Sequence, residues 1–136
     1  MKMLVVFEKT QRLRFIGHLD LMRTMQRALR RSDLPIRYSQ GFNPHILLSF
    51  ASPLSVGVVG KREIMEVPIA GEMSSEDFKT RFEAVLPRDL PCVEVHSYDD
   101  SHPTPMSGVF AAKYEIIFDE EIPEVPAKLG DYLAQS

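Results

Sequence analysis

The feature that most constrains the fold is the order in which two hydrophobic periodicities alternate along the chain. Apolar runs rich in β-branched and aromatic residues predict strands at 2–7, 46–51, 62–70 and 92–98. Apolar residues spaced three to four apart predict two helices, one from His18 to about Ser32 and one beginning after Ser74. The resulting order, β-α-β-β-α-β, is typical of a ferredoxin-like α+β domain, in which an antiparallel sheet carries both helices on one face.

Local signals define the ends of these elements. Pro35 disfavours helical backbone at the residue before it, and Pro87 ends the second helix. Ser74 followed by Asp77 fits a capping-box pattern at the start of that helix. Pro68 cannot donate a hydrogen bond to a neighbouring strand, so we expect the stretch 62–70 that carries it to lie at a sheet edge or a bulge.

The last predicted strand, 92–98, carries Val93 and Val95 in alternation with polar residues, which predicts that both valines share one face. Residues 1–98 therefore form the predicted ferredoxin-like domain. Residues 99–108 are polar and contain two prolines, which predicts a linker or an exposed loop. Residues 109–136 begin with a strand pattern followed by a possible helix, so we expect the start of a second, incomplete unit.

Several classes of protein do not fit this sequence. No apolar run approaches the ~20 residues of a membrane-spanning helix, and the N-terminal apolar run is shorter than the ~7–15 residues of a signal peptide core. The single cysteine, Cys92, allows no internal disulfide, so we expect a cytoplasmic protein. The four histidines lack paired ligand spacing, and glycine-rich nucleotide loops are absent, so we expect no metal and no cofactor.

The distribution of charge along the chain is uneven. Residues 1–50 contain 9 Lys+Arg and 3 Asp+Glu, whereas residues 51–136 contain 7 and 16. The net charges of the two parts are therefore +6 and −9. This asymmetry indicates a surface that attracts anions, unless the two parts neutralise each other in the folded protein.

Much of the positive charge lies on the first predicted helix. Asp20, Arg23, Arg27 and Arg30 recur at helical spacing opposite the apolar stripe, and Arg31 follows directly. The planar guanidinium group matches the geometry of a phosphate. Two alternatives remain open: these arginines are solvated or paired within the protein, where the last of them complement the helix dipole, or they bind an anion.

The segment YSQGFNPH, residues 38–45, is the second candidate for binding. Its rings could stack on nucleobases, its polar side chains could form hydrogen bonds, and its glycine permits an unusual backbone. The candidate residues besides Phe42 are Tyr38, Ser39, Gln40, Gly41, Asn43 and His45. In the alternative interpretation, Phe42 and Tyr38 fill the core while the polar residues only close a turn.

Four motifs in this part of the chain resemble a known family: FIGHLDLMR (15–23), the arginine-rich helix end, YSQGFNPH (38–45) and LSFASPL (48–54) with Gly57. They resemble the radical SAM-linked proteins, a bacterial family of unknown function encoded beside, or fused to, radical SAM enzymes. The resemblance extends more weakly to about residue 118. It implies a radical SAM enzyme as partner and no particular reaction. Members usually continue further, so it also implies that Ser136 ends only part of a longer protein.

These features favour a binding or accessory protein over an enzyme. Our hypothesis is that it presents an RNA, such as a tRNA, to the radical SAM partner. The binding residues would be the loop above together with Arg23, Arg27, Arg30, Arg31 and Arg37.

Two alternatives belong to other classes. One is a protein adaptor whose arginines dock on an acidic partner. The other is a small hydrolase or nuclease that uses His18 as a general base. Asp20 cannot orient His18 directly, because residues two apart on a helix point about 200° away from each other.

Overall fold

The computed structural model describes residues 1–52, 54, 56–101, 103 and 113–116. Its elements are β1 (Lys2–Lys9), α1 (His18–Arg31), β2 (Ser49–Phe50), β3 (Gly60–Pro68), α2 (Ser75–Glu83) and β4 (Cys92–Tyr98), with a short 3-10 turn at Gln11–Leu13. The strands form one sheet in the order β2-β3-β1-β4, and all neighbouring strands are antiparallel. This order confirms the predicted ferredoxin-like α+β fold.

Both helices pack on the same face of the sheet. Met3, Val5 and Phe7 alternate along β1, and the register places Met65 and Val95 beside Val5. These side chains form one buried cluster with the apolar stripes of the helices, which are Leu21, Met25, Ala28 and Leu29 from α1 and Phe78 and Phe82 from α2. The Ser74 side chain accepts a hydrogen bond from the Asp77 amide at 3.1 Å, which caps α2 as predicted.

The predicted linker, 99–108, and the predicted second unit, 109–136, lie largely outside the described residues. Residues 113–116 are described and form no regular element. Among the described helices, none has the length and apolar character needed to cross a membrane.

The edge of the sheet beside β3 is interrupted. β2 contains two residues rather than the predicted 46–51, and an isolated bridge joins Ile36 to Ile69, one residue beyond the end of β3. The expectation that the stretch carrying Pro68 lies at a sheet edge was wrong, because β3 is a central strand and Pro68 is its last residue. The Pro68 carbonyl accepts a hydrogen bond from the Arg37 amide, on the side of the interrupted edge. Because the N–H and C=O of one strand residue point to the same side, the N–H that Pro68 lacks would face that edge too. No ladder hydrogen bond of β2 is lost there, since the β2 pairing ends at Glu66.

A bulge in β4 separates the two valines predicted to share a face. Val6 pairs with Glu94 and Phe7 with Cys92, so Val93 is an extra residue on β4. Cys92 and Val95 consequently enter the core, and Val93 is exposed. Burial raises the pKa of the Cys92 thiol to about 11, and the nearby Glu83 carboxylate adds to this effect.

The opposite face of the sheet carries a buried polar cluster. Glu66, only 3% exposed, accepts a hydrogen bond of 2.7 Å from the Tyr98 hydroxyl and lies 3.4 Å from the Lys2 ammonium. Burial raises the pKa of Tyr98, and its hydrogen bond to Glu66 raises it further. The three residues lie on β3, β4 and β1, so the cluster links three strands.

We expect Tyr98→Phe to lower the free energy of unfolding by about 1–3 kcal/mol, because a buried carboxylate oxygen loses its hydrogen-bond donor. Urea denaturation at neutral pH measures the change. The matched control is Tyr38→Phe. Because Tyr38 is half exposed, removing its hydroxyl should lower the free energy of unfolding by no more than about 0.5 kcal/mol. Equal stabilities of Tyr98→Phe and wild type would show that Glu66 does not depend on this hydroxyl.

Candidate nucleic-acid interface

The exposed side of α1 is a row of arginines. The buried stripe turns toward the sheet, so the residues opposite must face solvent. Arg23, Arg27 and Arg30 are all exposed there. Gly17 occupies the N-cap position, and Ser32 is the C-cap residue, whose amide donates to the Leu29 carbonyl.

These three arginines have little neutralising contact. Arg23 lies 3.7 Å from Asp20, and both side chains are exposed, so this ion pair is weak. Arg27 donates to the Thr24 hydroxyl at 3.4 Å. Within the part of the chain that the structure describes, Arg30 has no hydrogen bond or ion pair. Among those same residues, no acid from 51–136 pairs with any of the three, so this face is cationic.

Arg31 and Arg37 have contacts elsewhere in the protein. Arg31 Nη2 donates to the Val85 carbonyl at 3.1 Å, just beyond the end of α2. Arg37 Nη1 lies 3.5 Å from Asp100, which also holds the N-terminal ammonium at 3.1 Å. The five predicted arginines therefore divide into three that are available and two that link parts of the fold.

Residues 38–45 form a closed loop on the interrupted edge. The Leu47 amide donates to the Arg37 carbonyl at 3.1 Å, and the Ser39 amide donates to the His45 carbonyl at 2.8 Å. The Ser39 hydroxyl accepts from the His45 amide at 3.0 Å and lies 2.9 Å from His45 Nδ1. Ser39 and His45 thus fasten the base of the loop.

The tip of the loop presents an aromatic ring to solvent. Gly41 has a φ of +136°, a conformation that favours glycine. The next residue, Phe42, is fully exposed, and Tyr38 is half exposed. Gln40 and Asn43 are exposed beside it. The alternative that Phe42 fills the core is wrong, and its ring is open to a stacking partner.

His18 and Asp20 do not form a catalytic pair. The His18 ring packs edge-on against Phe50 at 5.2 Å, whereas Asp20 lies on the exposed face with Arg23. His18 Nδ1 is buried and has no hydrogen-bond partner among the residues that the structure describes. Over the same residues, no three His, Cys, Asp or Glu side chains are grouped so that they could hold a metal ion.

Sequence reasoning missed a buried lysine that positions the start of α1. Lys9 is 1% exposed, and its ammonium donates to the carbonyls of Arg14 at 3.3 Å and Ile16 at 3.0 Å. Burial lowers the pKa of Lys9, and the charge of Glu63 opposes this shift. The sequence does indicate its inward position, because Lys9 follows Phe7 at the two-residue spacing of the inward-facing side chains of β1.

Glu63 lies beside this lysine in a crowded position. Burial raises the pKa of Glu63, and the Lys9 charge lowers it by a smaller amount. Gly60, which pairs with Lys9 across the strands, has no room for a side chain, since a Cβ there would lie 2.5 Å from Glu63 Cγ. The glycine allows the partly buried carboxylate to fit close to the backbone.

We expect Glu63→Gln to be more stable than wild type at pH 7, by about 1 kcal/mol or less because the group is only partly buried. A pKa raised above 4.5 means that folding favours the protonated acid. The free energy of unfolding of the wild type therefore falls as pH rises through the pKa of Glu63, whereas that of the Glu63→Gln variant does not. Urea denaturation at pH 4 and pH 7 measures the difference, which should shrink at pH 4.

Glu115→Gln is the control, because Glu115 is exposed and its ion pair with Lys61 is long at 3.7 Å. It should show no comparable change between the two pH values. A Glu63→Gln protein less stable than wild type at pH 7 would show that attraction to Lys9 outweighs the burial cost.

Comparison with known proteins identifies the family. No curated protein matches the chain. A family described as an uncharacterized protein conserved in bacteria, DUF2344, matches residues 2–136. This match includes the basic helix, the aromatic loop and the whole described sheet. The chain therefore belongs to this uncharacterised bacterial family.

Proposed function

We propose that the protein is an RNA-binding accessory protein that presents an RNA, such as a tRNA, to a radical SAM enzyme. The observation that supports RNA binding is the exposed row of Arg23, Arg27 and Arg30, which the described acids of the second half leave unpaired. An unneutralised row of guanidinium groups attracts the phosphate backbone of a nucleic acid.

The spacing of the arginines suits an extended phosphate chain. Along the helix axis, Arg23 and Arg27 are separated by about 6 Å, and Arg27 and Arg30 by about 4.5 Å. Each guanidinium group can therefore contact a different phosphate, with two parallel hydrogen bonds to its oxygens. Contacts of this kind position the RNA and carry no sequence information.

The loop 38–45 supplies the contacts to bases. An exposed aromatic ring is a stacking platform for an unpaired base, and exposed amides can reach base edges. Phe42 and its neighbours Gln40 and Asn43 provide these groups. Arg37 and Arg31 have protein contacts in this structure, so in this proposal they support the loop and helix rather than bind phosphates directly.

The radical SAM partner rests on the sequence resemblance. In this proposal the chain carries no catalytic group and contributes affinity for the RNA, and the partner enzyme carries out the reaction.

The charge-reversal variant Arg27→Glu/Arg30→Glu should bind RNA at least about tenfold more weakly than wild type. Three phosphate contacts on a single strand predict a slope of log affinity against log salt of about −2, falling to about −0.7 in the variant. Fluorescence anisotropy with a labelled single-stranded RNA and a labelled tRNA, across a salt series, measures both quantities.

Arg81→Glu/Arg88→Glu is the matched control. It makes the same change in net charge on α2 and the following segment, where Arg81 already pairs with Asp77. We expect its affinity to stay within about twofold of wild type. Binding that does not depend on salt, or an equal loss in both double variants, would contradict the proposal.

Replacing Phe42 tests the stacking contact without disturbing the fold, because its side chain is fully exposed. Phe42→Ala should weaken binding of single-stranded RNA by about 1–3 kcal/mol, the range for one stacked base. Phe42→Tyr keeps the ring and should retain wild-type affinity. An unchanged affinity in Phe42→Ala would remove the loop from the interface.

A further inference from the structure

Three exposed apolar side chains gather around the first turn of α1. Phe15, Leu19 and Val56 are 67%, 64% and 61% exposed. Phe15 lies two residues before Gly17 and Leu19 two residues after it. Val56 Cγ2 lies 3.7 Å from the position that a Cβ of Gly17 would occupy. We call these three residues the Gly17 patch.

The connection between β2 and β3 holds Val56 in this place. The Gly57 amide donates to the Arg14 carbonyl, which joins that connection to the turn before α1. The buried Lys9 ammonium donates hydrogen bonds to two carbonyls of the same turn, those of Arg14 and Ile16. The patch therefore combines two separate parts of the chain. Hydrogen bonds hold both the residue after Val56 and the turn that carries Phe15.

The groups around the patch are mainly cationic. The Arg14 guanidinium lies 4.6 Å above the Phe15 ring, and the mostly exposed Arg12 reaches only 4.0 Å from Asp89. Arg23 follows Leu19 by one helical turn, with Asp20 as its only described acidic partner. An apolar centre with a positive surround complements a surface that is apolar and acidic.

We propose that the Gly17 patch binds a segment of a partner protein that combines apolar and acidic side chains. Leu19 and Val56 are aliphatic and have no π-face on which a base could stack, and the Arg14 guanidinium already lies over the ring of Phe15. The phosphate backbone of an RNA gains nothing from contact with these apolar groups. Apolar side chains of a protein partner would be buried against them, and its carboxylates would pair with the surrounding arginines.

This protein-binding site overlaps the proposed RNA surface only at Arg23. Leu19 and Arg30 are eleven residues apart on α1, which is about 16 Å along the helix axis. Arg27 and Arg30 therefore remain available to RNA when the patch is occupied, whereas Arg23 is shared by the two surfaces. The inference does not depend on RNA binding, and the two can fail independently.

The test uses three labelled twelve-residue peptides and the full chain. The first peptide alternates glutamate and leucine, the second replaces each glutamate with lysine, and the third replaces each leucine with serine. Anisotropy should show that wild type binds the first peptide at least about tenfold more tightly than either of the others. Leu19→Ser/Val56→Ser should lose this preference and keep wild-type RNA affinity.

Val93→Ser is the control, because Val93 is an exposed valine in the β4 bulge and is not part of the Gly17 patch. It should bind the first peptide like wild type. Thermal unfolding checks that every variant is folded, which is expected because the replaced side chains are exposed.

Three results would overturn the proposal. Equal affinity for the acidic and basic peptides would show that charge does not select the partner. Loss of RNA affinity in Leu19→Ser/Val56→Ser would place the patch in the RNA surface. A wild type that is dimeric in sedimentation, with Leu19→Ser/Val56→Ser monomeric, would show that a second copy of the chain covers the patch.

Discussion

The packing of α1 against the sheet determines where the functional groups of this protein lie. Leu21, Met25 and Leu29 are buried in the hydrophobic core that α1 shares with the sheet, which fixes the rotation of the helix about its axis. At 3.6 residues per turn, this rotation leaves Arg23 and Arg27 in solvent. The hydrophobic effect that stabilises the domain thus also exposes a row of cations.

The alternative to anion binding was that acidic side chains of the same protein neutralise the α1 arginines. Most of the described acids that form ion pairs or hydrogen bonds have other partners. Glu66 and Glu94 lie on the opposite face of the sheet, where they pair with Tyr98 and Arg62. Asp100 holds Arg37 and the N-terminus. The acids of the second half therefore neutralise other cations of the first half, such as Lys2 and Arg37, and among the described residues they leave Arg23, Arg27 and Arg30 unpaired.

The sequence predicted the elements whose signals are local and periodic, and it missed features that depend on pairing between strands or on contacts made by folded turns and loops. The α1 stripe and the Ser74 cap follow from spacing alone, and both were confirmed. The exposure of Val93 depends on a bulge opposite β1, which no pattern within β4 reveals. The two-residue alternation of β1 places Lys9 on the inward face, but the two carbonyls that receive its ammonium, and so allow its burial, are brought to it only by the folded turn. Phe42 is exposed for a related reason: Ser39 and His45 close the loop beneath it.

Lys9 also connects the two surfaces proposed for α1. Its ammonium is held between the carbonyls of Arg14 and Ile16, so it fixes the turn that carries Phe15 and leads into the helix. The same turn sets where α1 begins, and through the helix it sets the position of the arginines farther along. A buried charge is costly unless its hydrogen bonds are satisfied. Any arrangement of the turn that removed these carbonyls would leave the buried ammonium without hydrogen bonds and is therefore unfavourable. Lys9 thus fixes the position of the Gly17 patch relative to the arginines of α1.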